Sequence, residues 1–119
     1  MEWLWLLLGR WLESRGLASS AETCYRQAGQ RGSDDAWFRL GRSLLDRYRP
    51  EDARAAPLQA VALAPGHARA WNSLGAAQRL CADRPAARRS YERALALEPG
   101  LLPAINNLGE ALLIQGEAE

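Results

Sequence analysis

With 119 residues, fifteen basic and fourteen acidic side chains and a formal net charge of +1, the chain is about one domain long and nearly neutral. That balance argues against a nucleic-acid partner, which would need a clustered basic surface. Every basic residue is arginine. This bias fits either the codon usage of a GC-rich genome or selection for the paired hydrogen bonds of anion recognition.

Cys24 and Cys81 lie far apart inside helical patterns and read as small buried hydrophobes rather than a disulfide or metal pair. His67 follows a Pro-Gly turn with no second imidazole in the chain, so neither a metal site nor a histidine relay is supported and no cofactor is expected. The opening stretch from Met1 to Leu8 is apolar but lacks the basic start of a secretory signal. Arg10 and Glu13 interrupt it too soon for a membrane span. It is expected to be a folded helix in a cytoplasmic protein.

Taken in order, residues 2 to 15 carry Trp5-x-x-Leu8-Gly9 and end at Arg15-Gly16. Ser19-Ser20-Ala21-Glu22 has the form of a capping box. The helix it opens places Ala21, Tyr25 and Ala28 on one face. Asp34 begins a second unit with Trp37, Leu40, Gly41 and Leu44, followed by a helix from about Pro50 to Ala64. A third unit carries Trp71, Leu74 and Gly75, then Ala87, Tyr91 and Ala94, with Asp83 and Pro85 as cap and first turn. The last helix has Pro103 near its start and Ile105, Leu108, Gly109 and Leu112 on its inner face, with a turn expected at Gly116. Ala36-Trp37-Phe38-Arg39-Leu40-Gly41, Ala70-Trp71-Asn72-Ser73-Leu74-Gly75 and Ala104-Ile105-Asn106-Asn107-Leu108-Gly109 recur every 34 residues, which marks a stacked repeat. Trp5 to Trp37 is only 32, a shortening expected in the Gly29 to Ser33 loop.

Trp-x-x-Leu-Gly, Ala-x-x-x-Tyr-x-x-Ala and then Pro at this period resemble the tetratricopeptide repeat. Leu44, Gln78 and Leu112 depart from it where the family often has Tyr, as does Pro57 where it has a large apolar residue. The resemblance implies an all-α, right-handed α-solenoid of antiparallel helix pairs: seven helices, about three and a half units. One domain, 1–119, would divide into units of about 2–33, 34–67, 68–101 and a half unit 102–116. Each unit's first helix would line a concave groove.

Packing logic supports the same architecture. Gly9, Gly41, Gly75 and Gly109 allow close helix approach, with Ala21, Ala53 and Ala87 as the expected small partners. Ala28, Ala60 and Ala94 let the next unit's first helix pack down, and each pair depends on its neighbours for burial. Pro57, inside a helix, predicts a kink or a late helix start near residues 53 to 57.

No constellation carries chemistry. The glycines are spaced for packing rather than for cradling phosphate, and Glu51-Asp52 and Arg88-Arg89 read as solvated helix face, so an enzyme is not expected. The register points Phe38, Arg39 and Arg42, then Arg69, Asn72, Ser73 and Arg79, then Asn106, Asn107 and Glu110 into the groove. Arg suits carboxylate or phosphate, and Asn can grip an extended peptide backbone. An ordinary wet helix face is the alternative. Compared with the family's carboxylate clamp, only Arg69 stands on a matching basic position. Compared with the Asn ladder of O-linked N-acetylglucosamine transferases, Asn107 matches, whereas Ser73 and Arg39 stand where Asn would be.

The expected function is a protein-interaction scaffold that binds a protein or peptide in its groove, with an acidic one favoured by Arg39, Arg42 and Arg69. Two alternatives stand beside it: a recognition arm cut from a larger bacterial enzyme such as a glycosyltransferase, and a self-assembling structural module. The stop half-way through a unit favours a segment of something longer. Trp5, Leu8 and Leu12 are accounted for by packing within the first unit. Trp3, Leu4, Leu6, Leu7 and Trp11 are not, and with Leu113 and Ile114 at the other end they predict a homo-oligomer formed through exposed apolar helices.

Overall fold

The computed structural model describes the backbone of residues 2–118 and the side chains of residues 3–114. Its elements are seven helices: α1 (Glu2–Ser14), α2 (Ala18–Gln30), α3 (Asp34–Asp46), α4 (Pro50–Leu63), α5 (Ala68–Leu80), α6 (Arg84–Leu97) and α7 (Leu102–Ala118). Each packs on the next in sequence, most closely within the pairs α1/α2, α3/α4 and α5/α6. Short connections force each helix back alongside its predecessor. In addition α3 packs on α5 and α5 on α7, whereas α2, α4 and α6 make no comparable contact among the described residues. α3, α5 and α7 therefore form the inner face of an elongated stack measuring 50 × 26 × 20 Å.

The turns α1–α2, α2–α3, α3–α4 and α5–α6 share one geometry. Their middle residues, Gly16, Gly32, Tyr48 and Ala82, all have left-handed backbone, with φ of 78°, 100°, 56° and 64°. The amide after each reaches back to a carbonyl five residues earlier, as in Leu17 to Leu12 at 2.9 Å and Asp83 to Gln78 at 2.9 Å. The shortening of the first repeat is shared: α2 has 13 residues against 14 in α4 and α6, and three residues rather than four join it to the next unit.

Helix starts are capped by three chemistries. The Ser33 hydroxyl, Asp83 carboxylate and His67 Nδ1 accept from the amides of Ala36, Ala86 and Ala70 at 3.1, 3.3 and 3.2 Å. The capping box expected at Ser19–Glu22 does not form. α2 begins at Ala18 behind Leu17, which makes no side-chain cap, and Glu22 binds arginines instead.

The repeat glycines work as expected but with different partners. A Cβ at Gly9 would lie 2.7 Å from the Tyr25 ring, one at Gly41 2.8 Å from Pro57 Cδ, and one at Gly75 2.5 Å from Tyr91 Cε1. The residue four beyond the small alanine, not the alanine itself, rests on the glycine. Gly29 plays the same part against the Trp37 indole. Ala28, Ala60 and Ala94 are fully buried, each in a separate core cluster with residues of the following helix.

Several expectations need correction. α4 runs unbroken from Pro50 to Leu63 with Pro57 inside it, so there is no late start. α7 continues as helix through Ala118 rather than turning at Gly116. Ile105 and Leu112 are exposed, because no neighbour covers that face of α7 among the described residues. Leu6 packs against the first core cluster with Trp5 and Leu12, so it is not part of a free surface. Leu8, expected inside, is 44% exposed instead. Cys24 is buried, but Cys81 is only half-buried and caps the end of α5.

Candidate peptide-binding groove

On the inner face, Phe38, Arg42 and Leu45 project from α3 at i, i+4 and i+7, the spacing of one helix face. Arg69, Asn72, Ser73 and Ala76 do the same from α5, and Leu101 and Pro103 close the end where α7 begins. Together they line a cavity of about 420 Å³. Its floor is firm. Phe38 is only 7% exposed and packs among Ala60, Val61, Ala70 and Leu74. The Phe38 ring tilts against His67 at 4.9 Å between centroids, and the cap that His67 makes to α5 fixes that imidazole.

Arg42 lies over the outer face of Phe38, its guanidinium carbon 5.6 Å from the ring centroid. The ring supports the guanidinium without consuming its donors. Further along, Asn107 Nδ2 donates to Asn72 Oδ1 at 3.0 Å, tying α7 to α5. Each amide keeps its other half, two donors on Asn72 and the carbonyl oxygen on Asn107. The result is an apolar floor bordered by arginines and an amide pair.

No protein-family model matches the chain, and no curated protein matches its sequence. Solved structures do match. The first TPR of Spaghetti (RPAP3), bound to HSP90 peptide SRMEEVD, superposes with a TM-score of 0.89 at 22% identity, covering 99% of this chain and 94% of that one. The Sgt2 TPR domain from Aspergillus fumigatus gives 0.89 at 21% identity over 98% and 80% of the two chains. MamA gives 0.85 at 24% identity over 94% and 67%. The chain has the fold of a tetratricopeptide repeat (TPR) domain.

Within this TPR fold the residues singled out from sequence separate into groups. Phe38, Arg42, Arg69, Asn72 and Ser73 share the cavity, with Phe38 and Ser73 buried in its floor rather than standing free. Asn107 joins them through Asn72. Arg39 does not. It turns along its own helix to Asp35, 2.8 Å away, so Arg39, Arg42 and Arg69 do not form one strip. Arg79 reaches Glu110 at 3.3 Å and borders a different cavity. Asn106 is exposed outside both cavities.

Leu45, Ala76, Leu101 and Pro103 were missed. Leu45 continues the Phe38–Arg42 face and Ala76 the Arg69–Asn72 face, so helical periodicity alone could have found both. Leu101 and Pro103 come from the turn and first turn of the next unit, and only the folded geometry brings them in. At the two ends, Trp3, Leu4, Leu7 and Trp11 are exposed on α1 and Leu113 and Ile114 on α7. No helix among the described residues is long and apolar enough to cross a membrane.

Proposed function

We propose that this TPR domain is a protein-interaction scaffold, not an enzyme, and that it holds an extended acidic peptide in the groove between α3, α5 and the start of α7. The observation that carries this reading is the composition of the cavity. Its apolar floor is bordered by Arg42 and Arg69, with the Asn72–Asn107 pair beside them. Guanidinium groups match carboxylates in shape and charge, and Asn can bond both polar groups of a peptide backbone. The structural neighbours support it: TPR domains of RPAP3 are seen with the HSP90 peptide SRMEEVD and the HSP70 peptide SGPTIEEVD, both acidic near the end. Of the basic positions here only Arg69 matches the carboxylate clamp, so a different acidic sequence is expected.

Fluorescence anisotropy with a labelled acidic peptide and its amidated twin tests the proposal. Arg42→Ala and Arg69→Ala should each weaken binding of the acidic peptide about threefold to tenfold and flatten its salt dependence. Equal affinity for both peptides, or no effect of either substitution, would remove the groove from consideration.

A second reading rests on α1. Leu4, Leu8 and Trp11 are exposed at spacings of four and three, a helix–helix seam, and Trp3 and Leu7 widen it. Self-association of two copies through this face follows. Sedimentation at tens of micromolar should show a dimer that Leu4→Glu dissolves; a monomer throughout would rule it out.

A further inference from the structure

The outer side of α1 shares no residue with the groove, and the repeat pattern does not explain it. At 3.6 residues per turn, Trp3, Leu4, Leu7, Leu8 and Trp11 fall within an arc of about 140°, and all five are exposed. The opposite side of the helix packs inward through Trp5, Leu6 and Leu12, and Gly9 faces the Tyr25 ring.

The later units differ from α1 at these positions. Leu4 and Trp11 stand where the second unit has Ala36 and Ser43 and the third has Ala70 and Ala77. Those four are small and buried. Ala70 clusters with Ala60 and Val61 of α4, and Ala77 with Ala53 and Ala56. Small side chains there let the preceding helix lie close. A helix set on α1 in the same register would meet the Leu4 side chain and the Trp11 indole instead, an overpacking far beyond one methylene. Trp3 and Leu7 depart too, since their counterparts are Asp35 and Arg39 in one unit and Arg69 and Ser73 in the other. This side of α1 is therefore not shaped as a seat for another repeat.

Charge narrows what it does fit. Between residues 3 and 33 there are four arginines and two acids, and side chains of the stack engage both acids. Glu13 accepts from the Tyr25 hydroxyl at 2.8 Å, and Glu22 accepts from Arg26, Arg47 and Arg49. Arg10 and Arg15 are exposed and have no ion-pair partner among the described residues. Arg10 borders the arc beside Trp3. Arg15 stands just past the end of α1, its guanidinium carbon 5.1 Å from the Trp11 ring centroid. The Ser14 hydroxyl, on the same arc, already donates to the Trp11 carbonyl at 2.6 Å. Among the described side chains the arc is thus apolar at its centre, basic at its edge and free of carboxylates.

A negatively charged lipid surface matches this pattern. Trp3 and Trp11 lie about 12 Å apart along the helix axis. An indole, apolar in its ring and polar at its N–H, settles where headgroups meet acyl chains. The leucines between them reach hydrocarbon, while the arginine stems let the guanidiniums rise to the headgroups. With 13 residues, α1 lies in such a surface rather than crossing it. A second copy is the rival occupant, but its own arc brings arginines and no carboxylate to Arg10 and Arg15.

We propose that the exposed face of α1 docks this domain on an anionic lipid surface, its tryptophans and leucines entering the boundary between headgroups and acyl chains and Arg10 and Arg15 binding the headgroups.

The test is flotation of the full chain with phosphatidylcholine vesicles, with and without phosphatidylserine. The protein should float with the phosphatidylserine vesicles and much less with the neutral ones. Arg10→Gln and Arg15→Gln should each weaken binding about fivefold. Leu7→Glu should abolish it without lowering the melting temperature, because Leu7 is exposed. Arg42→Ala, in the groove, should leave it unchanged. Bromine on the upper acyl chain should quench tryptophan emission, and Trp3→Phe with Trp11→Phe should keep the binding but lose most of the quenching. Vesicles should also draw the protein out of any dimer. No flotation with phosphatidylserine, equal flotation with both vesicles, or quenching undiminished by the paired Phe substitutions would overturn the proposal. A dimer that Leu4→Glu dissolves and that persists beside the vesicles would overturn it in favour of a second copy.

Discussion

Glu22 on α2 accepts a hydrogen bond from Arg47 at 2.8 Å, joining the first repeat to the turn that closes α3. Arg49, from the same turn, adds a contact at 3.1 Å and Arg26 one at 3.0 Å. One carboxylate thus holds three guanidiniums at the junction of two units, where repeat proteins derive their stability. Burial raises the Glu22 pKa, but the hydrogen bonds from Arg47 and Arg26 and the charges of Arg49 and Arg26 outweigh it, and the carboxyl sits below its ordinary 4.5.

A carboxyl with a lowered folded-state pKa binds fewer protons folded than unfolded. Its stabilisation is present above the ordinary value and is lost as pH falls through the lower one. Glu22→Gln should reduce stability at pH 7 by about 2 kcal/mol, the order expected for a hydrogen-bonded charge. It should also flatten the decline of stability below pH 4.5. Urea melts of both proteins from neutral pH down through the carboxylate range make the comparison, and parallel curves would show that Glu22 adds nothing at this junction.

The repeat glycines separate by what lies over them. A Cβ at Gly75 would meet the Tyr91 ring at 2.5 Å and the Ala87 carbonyl oxygen at 3.1 Å, so backbone as well as side chain must move. Gly75→Ala should cost about 1–3 kcal/mol by overpacking. Gly109, at the same repeat position, has open space, and Gly109→Ala should gain up to about 1 kcal/mol from helix propensity. Thermal melts of the two variants should move in opposite directions.

That contrast shows what was legible in the sequence. The 34-residue period registered Gly75 and Gly109 as equivalent, and it located every helix because the apolar pattern is local. Occupancy is not local. Gly109 differs from Gly75 only in what packs on it, just as Leu6 and Leu8 differ from the expected face of α1 through packing. Arg42 and Arg69 line one cavity because each follows the inner face of its helix. Arg39 leaves that face because Asp35, one turn away, pairs with it at 2.8 Å. The Ser19–Glu22 box failed for a similar reason: Glu22 had arginines from another unit to bind. Short-range pattern specified the elements, and competition among long side chains decided the site.

The four shared turns yield a further prediction. Gly16 and Gly32 adopt left-handed backbone without a side chain to clash, but Tyr48 and Ala82 hold φ of 56° and 64° with one. The conformation costs a residue with a Cβ roughly 1–2 kcal/mol, partly offset by the greater freedom that glycine loses on folding. Ala82→Gly should therefore stabilise by about 0.5–1 kcal/mol. Tyr48→Gly should do the same, since Tyr48 is 80% exposed and gives up little packing. Guanidinium melts would read both, and a loss in either would mean that the residue makes a contact in the turn that outweighs its strain.

Pro57 poses the reverse question, because here the packing is good and the backbone is not. Its ring is fully buried against Gly41, where Tyr25 and Tyr91 lie on Gly9 and Gly75. Within the continuous α4 it has no N–H to donate to the Ala53 carbonyl. An interior proline costs about 3 kcal/mol, whereas deleting buried ring carbons loses about 0.8 kcal/mol for each CH₂. Pro57→Ala removes the equivalent of two such groups and restores the donor. It should raise stability by about 1 kcal/mol, the difference between these terms. Hydrogen exchange adds a site-specific readout: the backbone amide that this substitution introduces, once bonded within α4, should exchange slowly. A lower melting temperature with a fast-exchanging amide at that position would show that the ring fixes the spacing of α3 and α4 and that its packing outweighs the missing bond.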